Sequence, residues 1–428
     1  MKQLTTLFNT ISDLIHHSSF INLFKSNQHD FSRDRFWTFP TLFTFILKKN
    51  NRTMKADIHH FFNTILDSDR MPSKASLSKA RDKLLPDAFL ALNSFVTKFF
   101  FQTIVDNHSI EYHTFAIDGS TSTPANTPEL QEYFGTQGNQ FCEVTKARVS
   151  ACLETSNELF VDVIIDHYSR DERSYVKEHL TSIISLGFQP NKSIILFDRG
   201  YQSHNLIDLL EENGFKYLFR LRKNYTVEVN NANKEDQVIT YVYKRKTYKQ
   251  RVICVKLETG ETEKLVTNLF DINCKEFKEM YFKRWKIETG FNTIKNSLKL
   301  DCYSGSKPII IYQDFYATFC LYNLMKVIEY IVNQQLEKQM KDKQVKHKYE
   351  MNYHYILIKF KDMMIKLFLK RSKWLMVRMM NKAVSEALRD SEARQIKKEF
   401  RPAKKGSTRE NKVRVTAQAY YINKKTVF

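Results

Sequence analysis

Through about the first 110 residues, apolar positions recur at three- and four-residue spacing. Phe36–Lys48, Lys55–Leu66 and Ala88–Phe101 are therefore predicted helices. Between them, Met71-Pro72-Ser73 marks a helix start, and Lys74, Lys79, Arg81 and Lys83 follow it. A short basic helix of this kind either enters a DNA groove or presents a solvated face. From about residue 112 the period becomes strand-like. His113–Asp118, Lys146–Glu154 and Leu159–Asp166 read as strands, the last two as a hairpin across Thr155-Ser156-Asn157-Glu158. Asp171–Leu186 reads as a helix, and Ser193–Asp198 as a nearly all-apolar strand. A helix from Ser203 to Glu212 closes at Gly214, and Phe215–Arg222 is a further strand.

Three strands, a helix, a strand, a helix and a strand make an α/β domain with a mixed sheet: an antiparallel hairpin, then parallel strands joined by helices. This element order resembles that of the ribonuclease-H-like fold. Gln237–Tyr243, Gln250–Glu258 and Glu263–Leu269 interrupt it as a small β insertion. Helices resume near Lys275, with Tyr312–Lys338 apolar at helical spacing and Ile356–Met380 mixed apolar and basic. The expected organisation is a helical, DNA-binding region over 1–110 and a catalytic domain over 111–300 with its β insertion at 224–269. A helical region over 301–390 and a basic flexible tail over 391–428 complete it. From Lys397 onward the tail carries ten Lys/Arg against two acids.

Composition narrows the function. The 428 residues hold 67 Lys+Arg against 47 Asp+Glu, a net charge of +20, which points to a polyanionic partner. Only 10 glycines are present and no Gly-rich phosphate loop occurs, so a nucleotide-binding loop fold is excluded. The six cysteines form no C-x-x-C pair, which removes support for zinc or redox chemistry. With scattered thiols and no apolar run near the N-terminus, the expected location is the cytoplasm, beside the nucleoid. The most apolar stretch, Pro308 to Val332, is interrupted by Gln313, Asp314, Asn323, Lys326 and Glu329 and reads as a buried helix, not a membrane span.

Two strands are expected to end in acids, Asp118 and Asp198. Carboxyl ends of parallel strands gather at one sheet edge, where α/β active sites lie. Adjacent carboxylates need a cation to neutralise them, and all-oxygen ligands favour Mg²⁺ or Mn²⁺. The alternative is that each Asp serves only as a turn residue. Further along, Tyr281, Arg284, Glu288 and Lys295, placed on one continuous helix, fall within a sector of about 60°. Ile287, Phe291 and Ile294 lie on another side and face the core.

The spacing Y-x2-R-x3-E-x6-K is filled completely by Tyr281, Arg284, Glu288 and Lys295. It resembles the signature of the insertion sequence four family of bacterial DDE transposases. Asp118-Gly119-Ser120 and Asp198-Arg199-Gly200-Tyr201 resemble that family's first two acidic motifs. The likeness covers about 112 to 325. It implies that Asp118, Asp198 and Glu288 are catalytic and hold two divalent metals, Mg²⁺ or Mn²⁺. Two such ions can activate a water and stabilise the leaving 3′-oxygen of a DNA strand. Tyr281, Arg284 and Lys295 are then expected to grip phosphates on either side of the scissile bond. Trp285 resembles a position where relatives stack a displaced base, with core packing as its alternative.

The expected function is a transposase that cuts insertion-element ends and joins them to target DNA, with double-stranded DNA as partner, no membrane, and a homodimer on DNA. A ribonuclease-H-like nuclease without integration and a DNA-binding protein with a dead catalytic domain are the alternatives. His16-His17, His59-His60 and Phe99-Phe100-Phe101 are expected to be surface or core residues, not ligands or stacking platforms.

Overall fold

The computed structural model describes residues 2–33, 35–48, 53–105, 110–138, 142–222, 225–256, 262–340 and 353–370, with a few isolated positions up to 381. The basic tail lies outside them.

Six α-helices open the chain: α1 (Lys2–His16), α2 (Ser18–Phe24), α3 (Phe39–Leu47), α4 (Met54–His59), α5 (Lys74–Arg81) and α6 (Asp87–Phe99). Their ends follow local chemistry. Thr38, Thr53 and Ser73 each cap a helix by accepting a backbone N–H three residues on. The apolar faces of α1, α3 and α6 share one continuous core with the sheet and the C-terminal helices: Leu7, Phe43 and Phe89 join Phe160, Phe319 and Ile365 in it.

Strand β1 (His113–Ser122) leads through α7 (Pro128–Phe134) and a small hairpin, β2 (Thr136–Gly138) with β3 (Glu143–Thr145), to β4 (Ala147–Glu154) and β5 (Leu159–His167). Then come α8 (Val176–Ser185), β6 (Ser193–Phe197), α9 (His204–Glu212), β7 (Lys216–Arg220) and α10 (Val227–Asn230). Strands β8 (Asp236–Tyr243), β9 (Lys246–Lys256) and β10 (Thr262–Thr267) follow. Eight strands form one sheet in the order β5-β4-β1-β6-β7-β10-β9-β8. It is mostly antiparallel; β1, β6 and β7 are its parallel centre. The β insertion is thus no separate sheet. Its strands extend the main one through β10, which pairs with β7.

Two expectations about strands need correction. Strand β1 does not end at Asp118. It runs on to Ser122 because β4 pairs with it along that whole length, Ser122 opposite Ala147. Asp118 is therefore a mid-strand residue, and its reading as a turn residue falls. Asp198 does follow the last residue of β6 directly.

Helices α11 (Glu276–Phe282), α12 (Trp285–Asn296), α13 (Pro308–Met340) and α14 (Tyr353–Lys370) complete the fold. Helix α13 runs through the core, and its buried polar residues Gln313, Asp314, Thr318 and Asn323 have partners. Asp314 receives Arg81 at 2.6 Å, and Gln313 receives the same guanidinium at 2.7 Å. Asn323 closes a reciprocal pair with the Phe160 backbone at 3.0 and 2.7 Å, and Lys326 meets Glu158 at 2.9 Å. A buried polar group is tolerated when it is hydrogen-bonded, so these residues fix where α13 crosses the sheet and the N-terminal helices. No helix among the described residues is long and apolar enough to cross a membrane.

This network also corrects the reading of the basic helix α5. Arg81 is 2% exposed and tied to α13, so it is not available to a DNA groove, whereas Lys74 and Lys79 remain exposed.

Candidate active site

The parallel pair β1–β6 aligns Ala116 with Leu196. Two residues further on stand Asp118 and Asp198. Side chains two apart share a face, and neighbouring strands lie about 4.8 Å apart. Asp198 is the first residue past β6, and the two acids lie close enough for the charge of Asp198 to act on Asp118. Asp118 accepts the Gly119 N–H at 2.9 Å, and Asp198 accepts the Gly200 N–H at 2.6 Å. Burial pushes the Asp118 carboxyl up to about 7; the Arg284 guanidinium opposes the shift, and the charges of Asp198 and Glu288 reinforce it.

Helix α12 lies across the face that carries Asp118. Arg284, at its start, is 4% exposed. Its guanidinium donates to Glu288 Oε1 at 2.8 Å and lies 3.8 Å from Asp118 Oδ2. One cation thus stands between two of the three acids. Eleven residues beyond Arg284, Lys295 Nζ donates to Ser120 Oγ at 2.7 Å, and Asp301 takes the Ser122 hydroxyl at 2.7 Å and the Thr123 N–H at 3.0 Å. The α12 segment and its exit loop thus follow alternate residues of β1: Asp118, Ser120, Ser122. Burial lowers the Lys295 pKa, with Asp301 opposing.

The expected single helical stripe is broken. Helix α11 ends at Phe282 and α12 begins at Trp285, joined by tight i→i+3 bonds: Arg284 N–H to Tyr281 O at 3.0 Å and Ile287 N–H to Arg284 O at 3.2 Å. A uniform 100° advance does not hold across this joint. Tyr281 is 6% exposed and belongs to a small core with Leu196, Leu218 and Phe277. Burial pushes its hydroxyl up to about 12, opposed by Arg284. Its ring supports the guanidinium from one side, 5.8 Å away, and Trp285 does so at 5.2 Å. Trp285 is half-exposed, which rules out core packing for it.

Sequence reasoning missed two site neighbours. Glu172 lies against Gly119, where any Cβ would collide with its carboxylate, and Arg148 holds it at 2.7 Å. Tyr201 is buried, and its hydroxyl has no hydrogen-bond partner among the described residues; the charges of Asp118, Glu172 and Asp198 all act on it. Its place after Asp198-Arg199-Gly200 was visible, but not its burial. On the opposite face, Ser150, His179 and Asp162 form a row at 2.8 and 2.6 Å. Ser150 and His179 are fully buried, so this Ser-His-Asp array braces α8 against the sheet and offers no nucleophile.

The donor set fits a hard divalent cation in chemistry: carboxylate oxygens, with no imidazole or thiolate beside them. The unpartnered Tyr201 hydroxyl also suits a hydrated guest. In geometry the fit is partial. Among the described residues no three His, Cys, Asp or Glu side chains converge as a cage; Glu288 is turned to Arg284.

Comparison with known proteins bears on the family of the chain. One curated relative is the "Probable transposase for insertion sequence element IS5377" of Geobacillus stearothermophilus, 29% identical over 82 residues. That match spans 19% of this chain and 22% of the relative, about a fifth of its length. Among solved structures, a piggyBac transposase synaptic complex with hairpin DNA overlays 95% of this chain and 87% of its own, at 13% identity and a TM-score of 0.44; a likeness this low carries no argument. The transposase DDE domain family matches residues 104–324, half of the chain, and this stretch contains Asp118, Asp198 and Glu288. The chain belongs to the transposase DDE domain family.

Proposed function

We propose that the protein is a transposase of the insertion sequence four type, which cuts element ends and transfers them to target DNA with Asp118, Asp198 and Glu288 as its catalytic acids. The observation that carries the reading is that Asp118 on β1 and Asp198 just past the parallel β6 lie near each other, with Glu288 one guanidinium away. The β5-β4-β1-β6-β7 half of the sheet, with helices on both faces, supports a ribonuclease-H-like catalytic domain over 111–300. Two divalent ions bound by these acids would activate a water or the DNA's own 3′-hydroxyl as nucleophile and stabilise the leaving oxygen.

The chain's own residues do the rest. Arg284 pairs with Glu288 and stands beside Asp118. On DNA its guanidinium turns to a phosphate and frees Glu288 for the metal side. Lys295, carried on the same helix, grips a phosphate further along the strand, and exposed Trp285 stacks a displaced base. The helices of 1–110 bind duplex DNA, α13 and α14 brace them, and the basic tail adds charge. Two copies hold two ends. We place the protein in the cytoplasm, at the nucleoid.

The test uses the DNA flanking the coding region as substrate. Asp118→Ala and Asp198→Ala should each abolish Mg²⁺-dependent cleavage while duplex binding, followed by anisotropy, survives. Cleavage that persists in either variant removes that residue from the site.

A further inference from the structure

Strands β8 and β9 form a ribbon at the sheet edge. Its inner face is fully used: Tyr241 Oη meets His204 Nε2 at 3.2 Å, Tyr243 stacks on His204 at 3.8 Å, and Lys246 and Tyr248 both reach Asp208. Its outer face is open to solvent, with the Lys249 ammonium 5.4 Å from the Phe270 ring. Val238, Thr240 and Val242 on β8 are exposed, with Val242 at 68%, and so are Thr247 and Lys249 opposite them on β9.

The turn joining the strands is Lys244-Arg245, both in the left-handed region at φ 48° and 67°. Two-residue hairpins of this type favour Asn-Gly, and a side chain there costs about 1–2 kcal/mol per residue. Strain of this kind points to a use for the side chains it presents. Protection of an exposed sheet edge is not that use. Edge protection places charges on the edge strand, whereas β8 shows valines and the cations sit at the tip and on β9.

The register gives the face its direction. Val238, Arg251, Thr267, Leu218, Leu196 and Ala116 pair in one row across six strands. Asp118 is two residues from that row, so the open ribbon face and Asp118 lie on the same side of the sheet. The tip is about eight residues along and about four strands across from Asp118. At ~3.3 Å per residue and ~4.8 Å per strand, that is on the order of 30 Å, close to one turn of duplex, ~34 Å.

We propose that the outer face of the β8–β9 ribbon docks double-stranded DNA, with Lys244, Arg245 and Lys249 on its phosphates and Val238, Thr240 and Val242 toward the groove. A two-stranded ribbon fits the major groove, and small branched side chains suit thymine methyls. The partner follows from charge: Lys244, Arg245 and Lys249 are exposed, and Asp236, on the same face of β8, is already paired with Arg251, in a chain of net charge +20. The proposal rests on the transposase reading and assigns a second contact about one duplex turn from its catalytic centre.

The test is fluorescence anisotropy of the full chain with a mixed-sequence 40-base-pair duplex between 50 and 200 mM salt. Lys244→Asn/Arg245→Gly removes both tip cations while installing the favoured turn, so the fold is kept. The log–log salt slope should fall by about 1.8 units, which shrinks the affinity loss over that salt range about tenfold. Val242→Glu should weaken binding at every salt concentration. Lys177→Ala/Lys192→Ala, on the α8 side, removes equal charge and should leave the slope unchanged. An unchanged slope in the turn variant overturns the proposal, and so does an equal fall in the α8-side control. It also fails if Val242→Glu alters only self-association in sedimentation. If the wild type cuts flanking DNA with Mg²⁺ and the turn variant keeps its slope, the ribbon assignment fails alone. If the slope falls but the wild type cuts nothing, the ribbon stands and the transposase reading fails.

Discussion

Asp118→Asn should stabilise the protein at alkaline pH. In the fold the Asp118 carboxyl is raised from 3.8 to about 7, burial first among the causes. A carboxyl raised by folding binds its proton more tightly in the native than in the unfolded state. Its cost is absent below the unfolded value and fully present above the folded one. At 1.36 kcal/mol per unit the cost is ~4 kcal/mol at pH 8 and ~1 kcal/mol at pH 4.5. Asparagine keeps the shape and the acceptor for the Gly119 N–H but carries no charge to desolvate. An unfolding entropy of ~2.1 cal/mol/K per residue converts the gain at pH 8 into about 5 °C. The assay is differential scanning calorimetry in EDTA at both pH values, followed by Mg²⁺ addition at pH 8. Added Mg²⁺ should raise the wild-type midpoint and leave that of Asp118→Asn nearly unmoved. A variant no more stable than wild type at pH 8, or one that gains equally at pH 4.5, would refute the placement of a buried, charge-crowded acid at this position.

Arg81→Met should destabilise by about 3–5 kcal/mol, because it removes the cation paired with the buried Asp314 carboxylate; urea unfolding reads this, and a change under 1 kcal/mol would contradict the buried network. Lys295→Ala should lower the salt slope of binding to a pre-cut end by about one unit. Lys286→Ala, whose ammonium is 3.3 Å from Glu158 on another side of α12, should cost under about 1 kcal/mol and leave that slope alone. Equal damage from both would defeat the one-face assignment.

Much of the fold was legible because its signals were local. The strand periods of β4, β5 and β6, and the Ser73 cap, specify elements that tertiary packing left in place. The acids were legible through the apolar strands that carry them, though β1 outran Asp118 because pairing with β4, a long-range event, decides where it ends. The Tyr281–Lys295 stripe was legible as spacing and not as shape: the tight joint at Lys283–Arg284 sends Tyr281 into the core. Arg81 looked like a DNA contact because its partner Asp314 lies 233 residues away. For the same reason Glu172 against Gly119 and Lys295 on Ser120 left no trace in sequence spacing.

The most direct test of the central claim is single-turnover cleavage of the DNA flanking the coding region by wild type and Glu288→Gln, with binding measured on the same samples. Glutamine preserves size and can still accept from Arg284, but it removes the charge that a metal needs. The account predicts Mg²⁺-dependent cuts at the element boundary by wild type, and none by Glu288→Gln despite binding at least as tight. Cleavage by Glu288→Gln at the wild-type rate, or by wild type in excess EDTA, would contradict it.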